Sequence, residues 1–180
     1  MPITVKGMGG HSSMTRSNGS LVYAAEIIEK LNDKQLPAQI IPPVGSFLNQ
    51  VGGSMDFVSR MAIANQWLLE VPLLRVLSDN PATNALIRTT TAITMVKGSD
   101  APNVMSSTAE ITVNFRILTG ESVEMVVDHV KEICTCYDVD IRVDSPREPS
   151  NLSSEDTRAF RAIKNSMTKL YPDVTVGSYI

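Results

Sequence analysis

The apolar and polar positions along this chain switch between two periods, one typical of strands and one typical of helices. Apolar residues recur every three or four positions over 20–31 and again over 122–134, which predicts two amphipathic helices. Strict alternation or a run of β-branched residues predicts strands elsewhere. The four predicted strands are residues 2–7, 89–96, 107–118 and 139–143.

The order of these elements predicts the fold class. Two helices on one face of a four-stranded antiparallel sheet bury both kinds of apolar stripe at once. We therefore predict an α+β fold, a ferredoxin-like sandwich, with a helical insert at about residues 34–86. Prolines and paired glycines divide that insert into several short helices. We expect its large apolar side chains to pack in a core, with contact to substrate or partner as the alternative: Phe57, Met61, Trp67 and Leu68.

The last part of the chain has a different organisation. After a break at residues 146–149, the pattern from Ser154 predicts a third amphipathic helix, and Val174 to Val176 predicts a short strand. This tail has no evident partner for its apolar face within the predicted sandwich. We therefore expect residues 1–148 to form one domain and residues 149–180 to begin a return into a further domain.

Composition and charge narrow the function classes. The chain of 180 residues is 43% hydrophobic and 19% charged, so global disorder is not expected. Its formal net charge of −3 argues against nucleic acid as a partner, because phosphate binding relies on clustered Lys and Arg. No apolar run reaches the length of about 20 residues that a membrane span needs, and we expect no membrane contact.

The cysteines and histidines do not predict a metal centre in this chain. Cys134 and Cys136 lie too close in sequence for an unstrained disulfide. His129 is the only histidine near them, whereas zinc usually takes four ligands. We interpret both cysteines as ordinary thiols.

A glycine-rich loop at residues 7–13, GMGGHSS, carries the most conspicuous candidate for chemistry. It follows the first predicted strand and precedes the first predicted helix, so it presents His11 on a loop. An imidazole there can donate to developing negative charge or bind a metal. The alternative is a tight turn whose histidine faces solvent. We expect Ser12 or Ser13 to cap the first helix, with orientation of the imidazole as the alternative.

Three motifs together carry a resemblance to a known family: GMGGHSS at residues 7–13, NPATNALIRTTTAIT at 80–94 and APNVMSSTAEITVNFRILTG at 101–120. With them, nearly the whole chain resembles the lid or dimerisation domain of a zinc metallohydrolase family. That family includes carboxypeptidase S, aminoacylase and succinyl-diaminopimelate desuccinylase. The sequences of the second and third motifs most resemble the carboxypeptidase S and N-acyl amino acid hydrolase branch.

The resemblance implies one part of a larger enzyme. In the family, two zinc ions are held by a separate catalytic domain, whose ligands are not in this sequence. The implied reaction is hydrolysis of a peptide or N-acyl amide bond next to a free carboxylate. The implied partners are a second copy, the chain's own catalytic domain and the substrate, and the chain alone is expected to be inactive.

The resemblance also implies roles for three residues. His11 corresponds to a histidine that reaches across the dimer to stabilise an oxyanion, and Asn103 and Arg116 correspond to a pair that holds the substrate. The residues alone allow blander interpretations: a turn residue for Asn103, and a solvated or cross-strand-paired charge for Arg116. The alternative function for the whole chain is a stand-alone ferredoxin-like module for ligand binding or assembly, without catalysis.

Overall fold

The computed structural model describes residues 1–14, 17–53 and 57–177. The strands are β1 Pro2–Lys6, β2 Gly10–His11, β3 Thr90–Lys97, β4 Val104–Met105, β5 Thr108–Arg116 and β6 Val139–Ile141. The α-helices are α1 Ser20–Asp33, α2 Pro42–Gly52, α3 Phe57–Ala64, α4 Gln66–Asp79, α5 Pro81–Ile87, α6 Val123–Cys134 and α7 Arg158–Leu170.

Four of the strands form one antiparallel sheet in the order β3-β5-β1-β6. Helices α1 and α6 pack on the same side of it, because their buried side chains share one core with β1 and β5. That core consists of Ile3, Val5, Ala24, Ile27, Leu31, Ala109, Ile111, Val113, Val130, Ile133 and Cys134. The predicted α+β sandwich with two helices on one face of a four-stranded sheet is therefore confirmed.

The alternation along β5 explains how the sheet acquires two different faces. Ala109, Ile111 and Val113 are buried, whereas Asn114 and Arg116 are exposed. Because successive side chains of a strand point to opposite faces, the same strand supplies the core and carries polar groups elsewhere. Burial raises the pKa of the Cys134 thiol to about 11, so this thiol stays protonated at neutral pH.

The chain divides into two compact units. The sheet unit comprises Met1–Pro37 and Thr89–Pro149, and the helical unit comprises Ala38–Arg88 and Ser150–Ile180. The insert thus forms a compact unit together with the tail of the chain. No helix in the described ranges combines the length and the apolar character that crossing a membrane requires.

The insert does contain several short helices, but core packing of its largest apolar side chains was a wrong expectation. Phe57 is 71% exposed, Trp67 81% and Leu68 64%, and Met61 is 47% exposed. Helices α3 and α4 bury Ile63 and Leu73 instead. The physical reason is that the predicted stripe does not lie on one helix: α3 ends at Ala64, Asn65 has a non-helical backbone, and α4 begins at Gln66.

Two further expectations about the tail and the helix starts are corrected. Val174 to Val176 form no strand, and the third predicted helix begins at Arg158 rather than Ser154. The Thr157 hydroxyl accepts a hydrogen bond from the Phe160 N–H at 3.1 Å, which fixes that helix start. Ser122 caps α6 in the same way, through the Met125 N–H.

Candidate functional site

The glycine-rich loop lies tightly against the start of β5 and the start of α1. The Gly7 N–H donates to the Ser107 carbonyl at 2.9 Å, and the Met8 N–H donates to the Asn18 carbonyl at 3.0 Å. A Cβ atom on Gly7 would lie 2.3 Å from the backbone nitrogen of Ser20. Only glycine fits such an approach, so the loop's first glycine is a packing requirement.

A second, two-stranded sheet brings His11 and Asn103 together. Strands β2 and β4 pair antiparallel, with Gly10 opposite Met105 and His11 opposite Val104. One residue further, the Ser12 N–H donates to the Asn103 carbonyl at 3.1 Å. The sequence pattern did not predict this small sheet, because each strand has only two residues. Both His11 and Asn103 are exposed at this end of the sheet unit.

Ser13 orients the His11 imidazole. Its backbone N–H donates to Nδ1 of His11 at 3.2 Å, and its hydroxyl lies 2.9 Å from the same atom. A backbone N–H needs an acceptor, so Nδ1 carries no proton and the neutral ring holds its proton on Nε2. Helix α1 begins after Gly19 without a side-chain cap. The expectation that Ser12 or Ser13 caps this helix was therefore wrong, and orientation is the observed role of Ser13.

Arg116 lies at the opposite end of β5 from this pair. It is exposed and pairs with Thr90 at the start of β3, whereas Thr108 at the other end of β5 pairs with Lys6 next to the glycine loop. Eight residue steps separate Thr108 from Arg116, a distance of about 26 Å along an extended strand. The structure thus groups His11 with Asn103 and places Arg116 apart from both.

A buried polar network, which the sequence did not reveal, fixes the chain beside Arg116. Thr89 and Glu121 are 0% and 6% exposed, and the Thr89 hydroxyl donates to the Glu121 carboxylate. The same Thr89 oxygen accepts the Leu118 N–H at 2.7 Å. Both partners follow β5 directly, so the network joins the start of β3 to the end of the strand that carries Arg116. In the sequence, Glu121 reads as an ordinary acidic residue at a helix start.

An open cavity of about 520 Å³ lies beside the glycine loop. Residues of the glycine loop and of the loop that follows β3 line it, among them Gly9, Gly98, Ser99 and Asp100. Within residues 1–14, 17–53 and 57–177, no three His, Cys, Asp or Glu side chains lie close enough together to hold a metal ion. His11 and Asn103 thus offer hydrogen-bonding groups at one end of the sheet unit, and Arg116 offers a guanidinium at a separate place.

Two solved structures have a similar fold. The M20 family metallo-carboxypeptidase Sso-CP2 from Sulfolobus solfataricus superposes with a TM-score of 0.56 at 14% identity, covering 95% of this chain and 42% of that one. Human carnosine dipeptidase 1 superposes with a TM-score of 0.53 at 13% identity, covering 99% and 43% respectively. The chain therefore shares the fold of part of each of these two proteins.

The family itself follows from sequence comparison. The model of the peptidase dimerisation domain, M20_dimer, matches residues 1–140, and the chain belongs to this domain family of the M20 metallopeptidases. The probable carboxypeptidase S-like 2 of Dictyostelium discoideum is 31% identical over 99% of this chain and 34% of that protein. The human N-fatty-acyl-amino acid synthase/hydrolase PM20D1 is 33% identical over 93% and 34%.

The chain spans about a third of the length of the curated relatives it matches. A dimerisation domain in a metal-dependent hydrolase family is thus established for this chain. The resemblance stated from the sequence is confirmed at that level.

Proposed function

We propose that this chain is the dimerisation and substrate-binding part of a zinc-dependent hydrolase that cleaves a peptide or N-acyl amide bond next to a free carboxylate. The names of two relatives, a carboxypeptidase S-like protein and an N-fatty-acyl-amino acid synthase/hydrolase, support this substrate class. Both names imply substrates in which a peptide or amide bond lies beside a free carboxylate. The observation that carries the residue roles is the pairing of β2 with β4, which joins His11 to Asn103.

In this proposal, His11 stabilises the oxyanion that develops on the scissile carbonyl. Ser13 holds Nδ1 as an acceptor, which leaves the Nε2–H as the donor. A donor aimed at such a charge typically contributes about 2.7–4 kcal/mol to the transition state. Asn103, whose backbone is bonded to the same loop, supplies an amide group that holds the substrate beside the imidazole.

Arg116 grips the free carboxylate of the substrate, since a planar guanidinium matches a carboxylate with two parallel hydrogen bonds. Its separation of about 26 Å from the other end of β5 far exceeds the distance between the scissile carbonyl and the neighbouring carboxylate, so His11 and Arg116 of one chain cannot serve the same substrate molecule. We therefore assign His11 and Asn103 to the active site of the partner subunit and Arg116 to the active site of its own subunit.

An exposed apolar surface supports a two-fold dimer. The edge strand β3 exposes Met95 and Val96 by 50% and 48%, and α1 exposes Leu21 and Val22 by 46% and 44%. Leu21 lies against Gly98 directly after β3, so the two groups are neighbours. An unpaired edge strand invites pairing with a second copy, and a two-fold contact is self-complementary.

The two zinc ions implied by the family have no place in the described residues. We propose that all their ligands belong to the catalytic domain. The described residues of this chain bind, orient and donate hydrogen bonds, and none of their steps passes through a metal.

Subunit complementation in the intact enzyme tests the assignment. Homodimers of His11→Ala and of Arg116→Ala are each expected to lose most of their activity. A mixed dimer of the two variants regains one complete active site, formed by Arg116 of the first subunit and His11 of the second. We therefore expect about half of the wild-type rate per mixed dimer, measured after purification with two affinity tags.

The matched control is a mixed dimer of His11→Ala with Asn103→Ala. Both residues serve the same partner site, so each of its two sites lacks one of them and activity stays low. Equal recovery in both mixtures would contradict the assignment, and unchanged activity in all homodimers would favour an assembly domain without a role in catalysis.

A further inference from the structure

A second cavity, of about 570 Å³, opens beside the C-terminal half of α4 in the helical unit. Val71, Leu74, Arg75 and Ser78 recur at intervals of three and four residues along the helix and therefore share the face that lines it. The remaining lining residues are Ala38, Asp79 and Arg88. None of the three residues assigned above contributes to this cavity.

The guanidinium of Arg88 is held by a hydrogen bond, but not all of its N–H groups have an acceptor. One of its terminal nitrogens donates to the Ser78 hydroxyl oxygen at 2.8 Å, and that hydroxyl donates onward to the Leu74 carbonyl at 2.7 Å. The Nε atom of Arg88 is buried and has no hydrogen-bond partner in the described part of the chain. Leaving a buried charged donor unsatisfied is costly, so an acceptor that reaches this nitrogen from the cavity would be stabilising.

The charges of the lining select the kind of acceptor. Neither Arg75 nor Arg88 forms an ion pair with an acidic side chain among the described residues. Two guanidinium groups and the Asp79 carboxylate give the lining a formal charge of +1, which suits a monoanion. A guanidinium fork matches the geometry of a carboxylate. A doubly charged phosphate would be repelled more strongly by the Asp79 carboxylate.

The apolar half of the lining selects what the carboxylate carries. Ala38, Val71 and Leu74 offer hydrocarbon surface next to the two guanidinium groups. A cavity with aliphatic walls and a few convergent polar groups is the usual form of a small-molecule site. We propose that this cavity binds a small carboxylate that bears a short alkyl chain. The proposal does not depend on the function assigned above to the sheet unit.

The test is an NMR titration of the full 180-residue chain, labelled with ¹⁵N-arginine, against sodium hexanoate. The Nε–H signal of Arg88, identified by its loss in Arg88→Lys, is expected to shift and saturate in the millimolar range. Acetate should bind more weakly, by about fourfold for each methylene no longer buried. Inorganic phosphate should bind more weakly than hexanoate.

Variants separate the site from general anion binding. Arg75 is exposed, so Arg75→Gln should leave the fold intact and weaken hexanoate by about fivefold. Arg60→Gln is the matched control, since Arg60 is an exposed arginine in α3 that does not line the cavity. This variant should bind hexanoate as tightly as the wild type. Val71→Asn should reduce the difference between hexanoate and acetate.

Each contrary result overturns the proposal. Hexanoate that produces no saturable shift of the Arg88 signal shows that the cavity does not bind alkyl carboxylates. Equal weakening by Arg75→Gln and Arg60→Gln shows attraction to overall charge, and phosphate that matches hexanoate shows a general anion site. Thermal unfolding of each variant confirms that a loss of binding is not a loss of fold.

Discussion

At the scale of single residues, two neighbouring threonines of the sheet unit have opposite energetic roles. The Thr89 hydroxyl is fully buried, donates to Glu121 and accepts the Leu118 N–H. The Thr91 hydroxyl oxygen is buried too, but it has no hydrogen-bond partner among the described residues. A buried hydroxyl stabilises a fold only when it is hydrogen-bonded.

We predict that Thr89→Val lowers the free energy of unfolding by about 1–3 kcal/mol, because it removes two buried hydrogen bonds while keeping the side-chain shape. The measurement is urea unfolding followed by circular dichroism. Thr91→Val is the control, and it should be neutral or stabilising by about 1 kcal/mol or less. Similar losses in both variants would show that the hydrogen bonds of Thr89 contribute nothing specific.

The candidate residues could be named from the sequence, but the residues that lie beside them in space could not. His11, Asn103 and Arg116 were identified as matches to family motifs, and each motif is local. Which of them lie together depends on the pairing of β2 with β4, and two strands of two residues each leave no periodic pattern. Likewise, the role of Ser13 depends on its N–H pointing back to His11, which composition does not encode.

At the scale of elements, the exposed edge of the sheet leads to a prediction about assembly. Met95 on β3 and Met125 on α6 are similarly exposed, by 50% and 47%, but only Met95 lies on the proposed contact surface. We predict that Met95→Lys weakens the dimer at least about tenfold, because a charge would be buried at the two-fold contact. Analytical ultracentrifugation over a range of concentrations measures this.

Met125→Lys is the matched control for that variant and should dimerise like the wild type. Equal dissociation constants for the two variants would place the contact elsewhere. Circular dichroism of both proteins establishes that the lysine does not unfold the strand or the helix.

The regular elements were predictable because each is long enough for its apolar pattern to repeat several times. The nine residues of β5 alternate clearly, and α6 carries a complete apolar stripe with Ser122 as its cap. The insert was harder, since the predicted stripe crosses from the end of α3 at Ala64 to the start of α4 at Gln66, and α4 itself has a kink at Leu69. A proline in a helical pattern indicates such a break without indicating which side chains it exposes.

At the scale of the whole molecule, the chain has two compact units and belongs to a domain family of metallopeptidases. Its described residues nevertheless contain no group of three His, Cys, Asp or Glu side chains that could hold a metal ion. Under the proposed function, the zinc of the intact enzyme is bound by residues of the catalytic domain. The helical unit combines residues before and after the sheet unit's second segment, a division that the linear pattern of helices and strands did not indicate.

We therefore predict that the purified 180-residue chain binds no zinc with high affinity and hydrolyses no N-acyl amino acid when zinc is added, while it still forms a dimer. An exposed His11, a half-buried His129 and an exposed Cys136 bind zinc weakly at most, because a stable site needs three or four convergent ligands. Calorimetric titration with zinc, a hydrolysis assay and sedimentation of the same preparation test the three parts. Zinc-dependent hydrolysis by this chain alone would contradict the division of labour proposed here, and a monomer at micromolar concentration would contradict the dimer surface formed by β3 and α1.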